Sequence, residues 1–286
     1  MAPWVAGPAA LLIVALLTPV VIRVSRRLGW VAQPTDERWH RRPTALMGGV
    51  AIFVGLLGAT ALFAPDAALW PVWAGCGLMF ATGLVDDRRG VRPAAKLVLQ
   101  IVGAVLFLAA TDILGSGWPW FFVPFAVLWV VGITNAVNLL DNMDGLAAGV
   151  VGIAASFLAA FSALEGYDPG VVGALSLAGA AFGFLLFNFQ PARIFMGDCG
   201  SLPLGYGVAT LAILVNARTT GLGDFSVYVV SAMVLAVPIF DTTLVTFVRA
   251  AAGRSLARGG RDHSSHRLVL LGLSERQATL TLYGIS

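Results

Sequence analysis

Charge is what this sequence has least of. Only 12% of its 286 residues are Asp, Glu, Lys or Arg, where a soluble domain carries about 25%. With 58% hydrophobic residues and a mean hydropathy of +0.85, the shortage excludes a soluble enzyme, a disordered chain and a nucleic-acid-binding domain. Cysteine is nearly absent as well. Cys76 sits in an apolar run and Cys199 in a polar turn, which argues against a disulfide framework. No basic residue precedes the first apolar stretch, whereas Arg23, Arg26 and Arg27 follow it. A cleaved signal peptide has the opposite order, so residues 4–23 are expected to be a retained first span.

Apolar segments fill the sequence instead. At about 20 residues per span, candidates lie at 4–23, 46–64, 69–85, 97–111, 119–135, 146–163, 171–189, 202–216 and 227–248, with a tenth beginning near 276 and cut short where the sequence stops. The expected fold is all-α, a polytopic membrane bundle of about ten transmembrane helices forming one domain over residues 1–286. Connections between spans alternate sides, and the odd-numbered ones hold every one of the 18 Lys and Arg except Arg218. The positive-inside rule then puts those connections in the cytoplasm and the N-terminus outside. Trp4, Trp70, Trp73, Trp118 and Trp120 fall at the opposite span ends, as an interfacial belt would. The pI near 9.2 follows from this bias alone, or from arginines that also hold an anionic substrate.

Polar chemistry gathers on the same side. Asp86, Asp87, Asp141, Asp144, Asp198 and Asp262 lie near cytoplasmic span ends, with His40, His263, His266, Asn135, Asn138 and Asn188. Polar groups at membrane depth are costly and point to function. Asp86 and Asp87 are adjacent, and Lys96 and Gln100 follow at i,i+4. Like charges so close call for a cation such as Mg2+, or for solvation and neutralisation by Arg88 and Arg89. Asn135, Asn138, Asp141 and Asp144 recur every three residues in a loop without a basic residue, so that neighbours share a side of a helical turn. Such a loop binds a cation or the hydrogen-bonding groups of a ligand. In residues 188–201, Pro191 ends one helix, Gly197 and Gly200 bracket Asp198, and Ser201 is a candidate N-cap for the next span. That helix N-terminus would attract phosphate. The last loop carries His263 and His266 among Arg254, Arg258, Arg261 and Arg267. It suits a phosphate clamp better than zinc, which wants three or four His, Cys or acid ligands. Asp241 lies inside the ninth span, roughly 12 Å from Arg249, and either supports the site from below or bonds between helices.

These motifs resemble the polyprenyl-phosphate N-acetylhexosamine-1-phosphate transferases, of glycosyltransferase family 4 type. The family includes the phospho-MurNAc-pentapeptide translocase and the GlcNAc-1-phosphate transferases that begin teichoic acid, O-antigen and related glycans. The match runs in order through residues 34–49 (PTDERWHRRPTALMGG), 86–100, 135–147, 188–205 and 262–274. The resemblance implies transfer of sugar-1-phosphate from a UDP-N-acetylhexosamine to undecaprenyl or another polyprenyl phosphate in the bilayer, releasing UMP. The cofactor would be Mg2+, with Mn2+ as its substitute. The resemblance makes Asp86, Asp87, Asp198 and His263 the catalytic candidates, and Asp198, Asp87 and Asp141 the metal ligands. Lys96, Asn135, Asn138, Asp144, Asn188, Phe195, Gly197, Arg261 and His266 would bind substrate, with Phe195 offering a stacking face for uracil. No nucleic acid is expected as a partner, and a homodimer is compatible with the family. The enzyme would act at the plasma membrane with its site facing the cytoplasm.

This sequence departs from the family pattern in its last loop, where Ser264 and Ser265 separate the two histidines. The peptidoglycan translocase has consecutive histidines there, so the spacing favours the GlcNAc branch over the MurNAc-pentapeptide one. A membrane prenyltransferase would explain Asp141 and Asp144 but not the 197–201 turn or the histidine loop. A transporter would place ionisable groups at midplane, and only Asp241 suits that.

Overall fold

The computed structural model describes residues 2–33, 43–64, 67–111, 113, 122–219, 225–254, 260 and 262–286. His40, Trp118, Trp120, Arg258 and Arg261, and most of residues 34–49, fall outside these. The described chain is all-α apart from one two-stranded hairpin. Its helices are α1 (Ala6–Arg27), α2 (Gly48–Phe63), α3 (Trp70–Arg89), α4 (Pro93–Ala110), α5 (Phe122–Leu140), α6 (Leu146–Leu164), α7 (Asp168–Asn188), α8 (Asp198–Thr219), α9 (Phe225–Val234), α10 (Ala236–Ala251), α11 (Ser264–Leu270) and α12 (Glu275–Ile285).

The helix at the centre is α8, which packs against α2, α3, α5, α6 and α7. Residues 201–216 are all buried, as an apolar helix without a polar face must be. Around it, α7 is sandwiched between α1 and α6. The periphery is apolar as well. On α1, Leu12, Leu16, Val20 and Val24 form an exposed stripe at i,i+4, and Leu97, Val98, Ile101, Val102 and Val105 do the same on α4. Contiguous apolar surface of this extent is not left facing water; it faces lipid.

Among the described residues, six stretches are long and apolar enough to cross a membrane: Pro3–Arg27, Pro93–Ala110, Phe122–Leu140, Leu146–Leu164, Asp168–Asn188 and Asp198–Arg218. The helix α2 is apolar but has only 16 residues, and α3 carries Asp86, Asp87, Arg88 and Arg89 in its last turn. The chain is thus a multi-pass membrane protein. The expected ninth span is two helices, broken at Leu235. Pro238 lacks the N–H that would bond to the carbonyl of Val234, and its ring crowds that carbonyl. Two elements have no counterpart among the expected spans. One is α11, and the other is the antiparallel hairpin Val31–Ala32 with Thr44–Ala45, too short to show a strand period. Trp30, beside it, lies under the Arg88 guanidinium at 4.1 Å.

Candidate active site

Four segments meet at one end of the bundle. The Lys96 ammonium, from the first turn of α4, donates to Asp86 Oδ2 at 3.0 Å and to Asp198 Oδ2 at 2.9 Å. Asn138, in the last turn of α5, donates through Nδ2 to Asp198 Oδ1 at 2.9 Å and to Ser201 Oγ at 2.8 Å. The Val91 N–H holds the other oxygen of Asp86 at 2.6 Å.

Asp86 and Asp87 do not share one site, contrary to their adjacency in sequence. Asp87 turns toward α8, where its two oxygens accept from the backbone N–H groups of Asp198 at 2.9 Å and Cys199 at 3.0 Å. It therefore caps α8 from another helix, satisfying donors that a helix N-terminus leaves open. The cap expected of Ser201 is not needed. The helix starts three residues earlier, and Ser201 Oγ donates to the Gly197 carbonyl at 3.2 Å. Gly197, just ahead of the helix, has a φ of 70° and no side chain to cap with. The approach of α3 and α2 to this turn is backbone to backbone. A Cβ on Gly83 would lie 2.3 Å from the Asp198 carbonyl, and one on Gly49 would lie 2.3 Å from the Cys199–Gly200 peptide.

The rest of the turn hangs on residues 45–49, the described end of the 34–49 motif. Phe195 N–H donates to Ala45 O at 2.9 Å, Gly48 N–H to Phe195 O at 3.0 Å, and Gly49 N–H to Met196 O at 3.0 Å. Phe195 is half-buried beside Gly197 and Asp198. Asn188 is buried, and its amide is spent on backbone. Its Oδ1 accepts from Gly145 N–H at 3.1 Å, and its Nδ2 donates to Ile194 O at 2.9 Å. The structure therefore places it as a staple between the 141–145 turn and the Asp198 turn, out of a ligand's reach. Asn135 lies one turn below Asn138 and exchanges amide bonds with Gln100, tying α5 to α4. Asp144 Oδ2 accepts from Ala192 N–H at 2.8 Å.

Asp141 follows α5 directly, and its carboxylate bonds to no described residue. Burial, then the charges of Asp198, Asp87 and Asp144, push its pKa well above the ordinary carboxylate value. A cation would relieve that. Among the described residues no three His, Cys, Asp or Glu side chains form a ready-made coordination set. The charges that act on Asp141, those of Asp198, Asp87 and Asp144, are all carboxylates, which fits Mg2+, since it binds through one or two carboxylates plus waters and phosphates. Asp198 and Asp141 would hold it; Asp87, with both oxygens on backbone N–H groups, belongs to the frame.

The histidine loop joins the same assembly. Ser265 Oγ donates to Asn142 Oδ1 at 2.6 Å, and Asn142 Nδ2 to Leu139 O at 2.8 Å. His263 and His266 are both buried, with ring centroids 5.5 Å apart. His263 Nδ1 lies 2.7 Å from Asp241 Oδ2. The arginines expected to form a clamp are partly committed. Of these, Arg254 Nη2 bonds to Asp262 at 3.0 Å, where it is joined by Nε of Arg249 from α10 at 3.2 Å. Burial acts to raise the pKa of Asp262, but the bonds and charges of Arg254 and Arg249 outweigh it and hold the pKa below its usual value. Arg261 lies outside the described residues. The sequence did not point to Tyr283, whose hydroxyl donates to Gly145 O at 2.6 Å and docks α12 on the 141–145 turn.

Comparison with known proteins identifies the family. Residues 69–216 match glycosyl transferase family 4. The chain is 35% identical to the probable undecaprenyl-phosphate N-acetylglucosaminyl 1-phosphate transferase of Bacillus subtilis, over 96% of this chain and 79% of that one. It is 32% identical to the decaprenyl-phosphate N-acetylglucosaminephosphotransferase of Mycolicibacterium smegmatis, over 97% and 78%. With the phospho-N-acetylmuramoyl-pentapeptide-transferase of Lacticaseibacillus paracasei it shares 31% identity over 96% and 92%. The motifs and these matches over nearly the whole of this chain place it in glycosyl transferase family 4.

Proposed function

We propose that this protein transfers N-acetylhexosamine-1-phosphate, with GlcNAc as the sugar, from a UDP-sugar to undecaprenyl phosphate. An oxygen of the lipid phosphate attacks the phosphorus that bears the sugar. The bond to the bridging oxygen of the diphosphate breaks, and UMP leaves with the electron pair. The observation that carries this reading is the Lys96 ammonium held between Asp86 and Asp198, with Asn138 on the same Asp198. Transfer between two anions needs charge neutralisation and alignment more than covalent help. Lys96 can move from a carboxylate to a phosphate oxygen within the same polar cluster. Asn138 and the capped start of α8 fix Asp198, and Asp86 lies beside Lys96 where it can take or orient a proton of the lipid phosphate. Bound Mg2+, or Mn2+ in its place, would neutralise the diphosphate oxygens.

The lipid substrate has a matching feature. A groove of about 710 Å3 runs along α5 from Phe122 to Ala136, closed on the other side by residues of α8 and α10 such as Ile213 and Ile239. Its walls are largely apolar, and Ala136 lies between Asn135 and Asn138. An isoprenoid chain lying there would bring its phosphate to the polar cluster. Both relatives named for N-acetylglucosamine transfer, and the serines between His263 and His266, favour GlcNAc. The basic residues favour a plasma-membrane enzyme with N-terminus outside and site toward the cytoplasm.

The test is UMP release by purified protein with undecaprenyl phosphate and Mg2+ across a panel of UDP-sugars. Release with UDP-GlcNAc, abolished by EDTA and by Asp198→Asn, is expected. Release only with UDP-MurNAc-pentapeptide would move the protein to the other branch, and near-normal turnover by Asp198→Asn would overturn the metal-centred mechanism.

A further inference from the structure

Asp241 is a buried acid outside the Lys96 cluster, and its surroundings are specific. Its Oδ1 accepts from Ser264 N–H and Ser264 Oγ, each at 2.6 Å, and its Oδ2 faces His263 Nδ1 at 2.7 Å. Asp241 is 1% exposed and His263 4%. Both belong to a double anchorage of the histidine segment on α10. Arg249, two turns beyond Asp241, bonds to Asp262 on the other side of His263. On the far side of the segment, Ser265 bonds to Asn142 in the acidic turn. The histidine ring is thus fixed between a membrane helix and the site.

A carboxylate only accepts hydrogen bonds. Two of the three contacts to Asp241 come from groups that can serve as donors, the Ser264 N–H and O–H, and the third is the His263 ring. The proton between Asp241 and His263 therefore belongs on Nδ1, and His263 Nε2 bonds to no described residue. We propose that Asp241 is a positioning residue that fixes the Nδ1–H form of His263 and so presents Nε2 to the substrate as a hydrogen-bond acceptor. The group it receives is an O–H, either a hydroxyl of the sugar or the acid proton of the lipid phosphate. The assignment of the substrates rests on the function proposed above; the state of the ring does not.

Asp241→Asn tests this sharply. The amide oxygen of Asn can still accept from both Ser264 donors, but its NH2 group meets Nδ1 with a donor. The ring must then accept at Nδ1 and carry its proton on Nε2, which turns the presented acceptor into a donor. The chain has three histidines, so full-length protein labelled with 15N-histidine in lipid vesicles gives a readable spectrum, with His263→Gln identifying the resonance. Expected is a neutral ring protonated on Nδ1 and bare at Nε2 in the wild type, where a doubly protonated ring would overturn the proposal, and an Nε2-protonated neutral ring in Asp241→Asn. A bare Nδ1 in the wild type, or a ring unchanged by the substitution, would overturn the proposal whatever the enzyme does. Should Asp241→Asn not fold, the wild-type spectrum alone still decides.

Activity gives the second arm. Asp241→Asn should lower UMP release by about 10²-fold, the lower range for one acid–base group, and adding His263→Ala should cost little more. Losses that multiply would mean that Asp241 acts on stability alone. A rise in KM for the UDP-sugar at constant kcat would assign the O–H to the sugar, and a fall in kcat would assign it to the lipid phosphate. Asp241→Glu, which keeps the carboxylate, should recover part of the loss.

Discussion

Lys96 is the sequence's only lysine, and it stands where two carboxylates would otherwise repel. Replacing it with Met keeps the stem and removes the charge. Lys96→Met should lower the melting temperature in EDTA, because Asp86 and Asp198 are then left facing each other, and Mg2+ should raise it by more than in the wild type. An equal Mg2+ response in both proteins would show that the lysine and the metal do not share these carboxylates. At this scale the sequence revealed which residues matter better than how they are arranged. Asp86 and Asp87 look like a pair sharing one cation. Consecutive residues on a helix do not face each other, so one carboxylate reaches α4 and the other α8. The same geometry separates Asn135 from Asn138. At i,i+3 they share a helix side, yet the lower one meets Gln100 and the upper one meets Asp198. Asn188 looked like a ligand because its partners, Gly145 and Ile194, are backbone groups that no side-chain pattern reveals.

Among the elements, the docking of α3 on the start of α8 decides whether the site exists. Gly83→Ala adds a methyl group that would lie 2.3 Å from the Asp198 carbonyl. The helices must part, at about 1–3 kcal/mol for overpacking, and the Asp87 cap opens with them. The melting temperature and UMP release should both fall, the latter more than tenfold, although no polar group is altered. Gly284→Ala on α12 has open space around it and should be neutral or stabilising by up to about 1 kcal/mol. If the two variants behave alike, the close approach is not what holds the turn. Most helices were legible from their apolar runs, and the break at Leu235 could be read from Pro238. The borrowed cap was harder to see. Its trace in the sequence is a negative one, a helix opening on Gly197-Asp198 with no Ser, Thr or Asn at the cap position.

For the whole molecule the open question is which way the bundle faces, and its geometry makes the answer measurable. From Leu146 to Leu164, α6 has 19 residues, about 28 Å at 1.5 Å per residue, close to the thickness of a bilayer core. Its start adjoins the 141–145 turn of the site, so Glu165 lies at the opposite surface. Both native cysteines are buried, which leaves a quiet background for introduced thiols. Arg89 and Glu165 are exposed at the two ends. In intact cells a membrane-impermeant maleimide should label Glu165→Cys and spare Arg89→Cys, and opening the membrane should expose Arg89→Cys to it. The proposed donor, a water-soluble nucleotide sugar, calls for that outcome, as does a sequence in which all but one of the basic residues fall in the odd-numbered connections. The reverse pattern would invert the proposed orientation. Labelling of both positions from one side would mean that α6 does not span the bilayer.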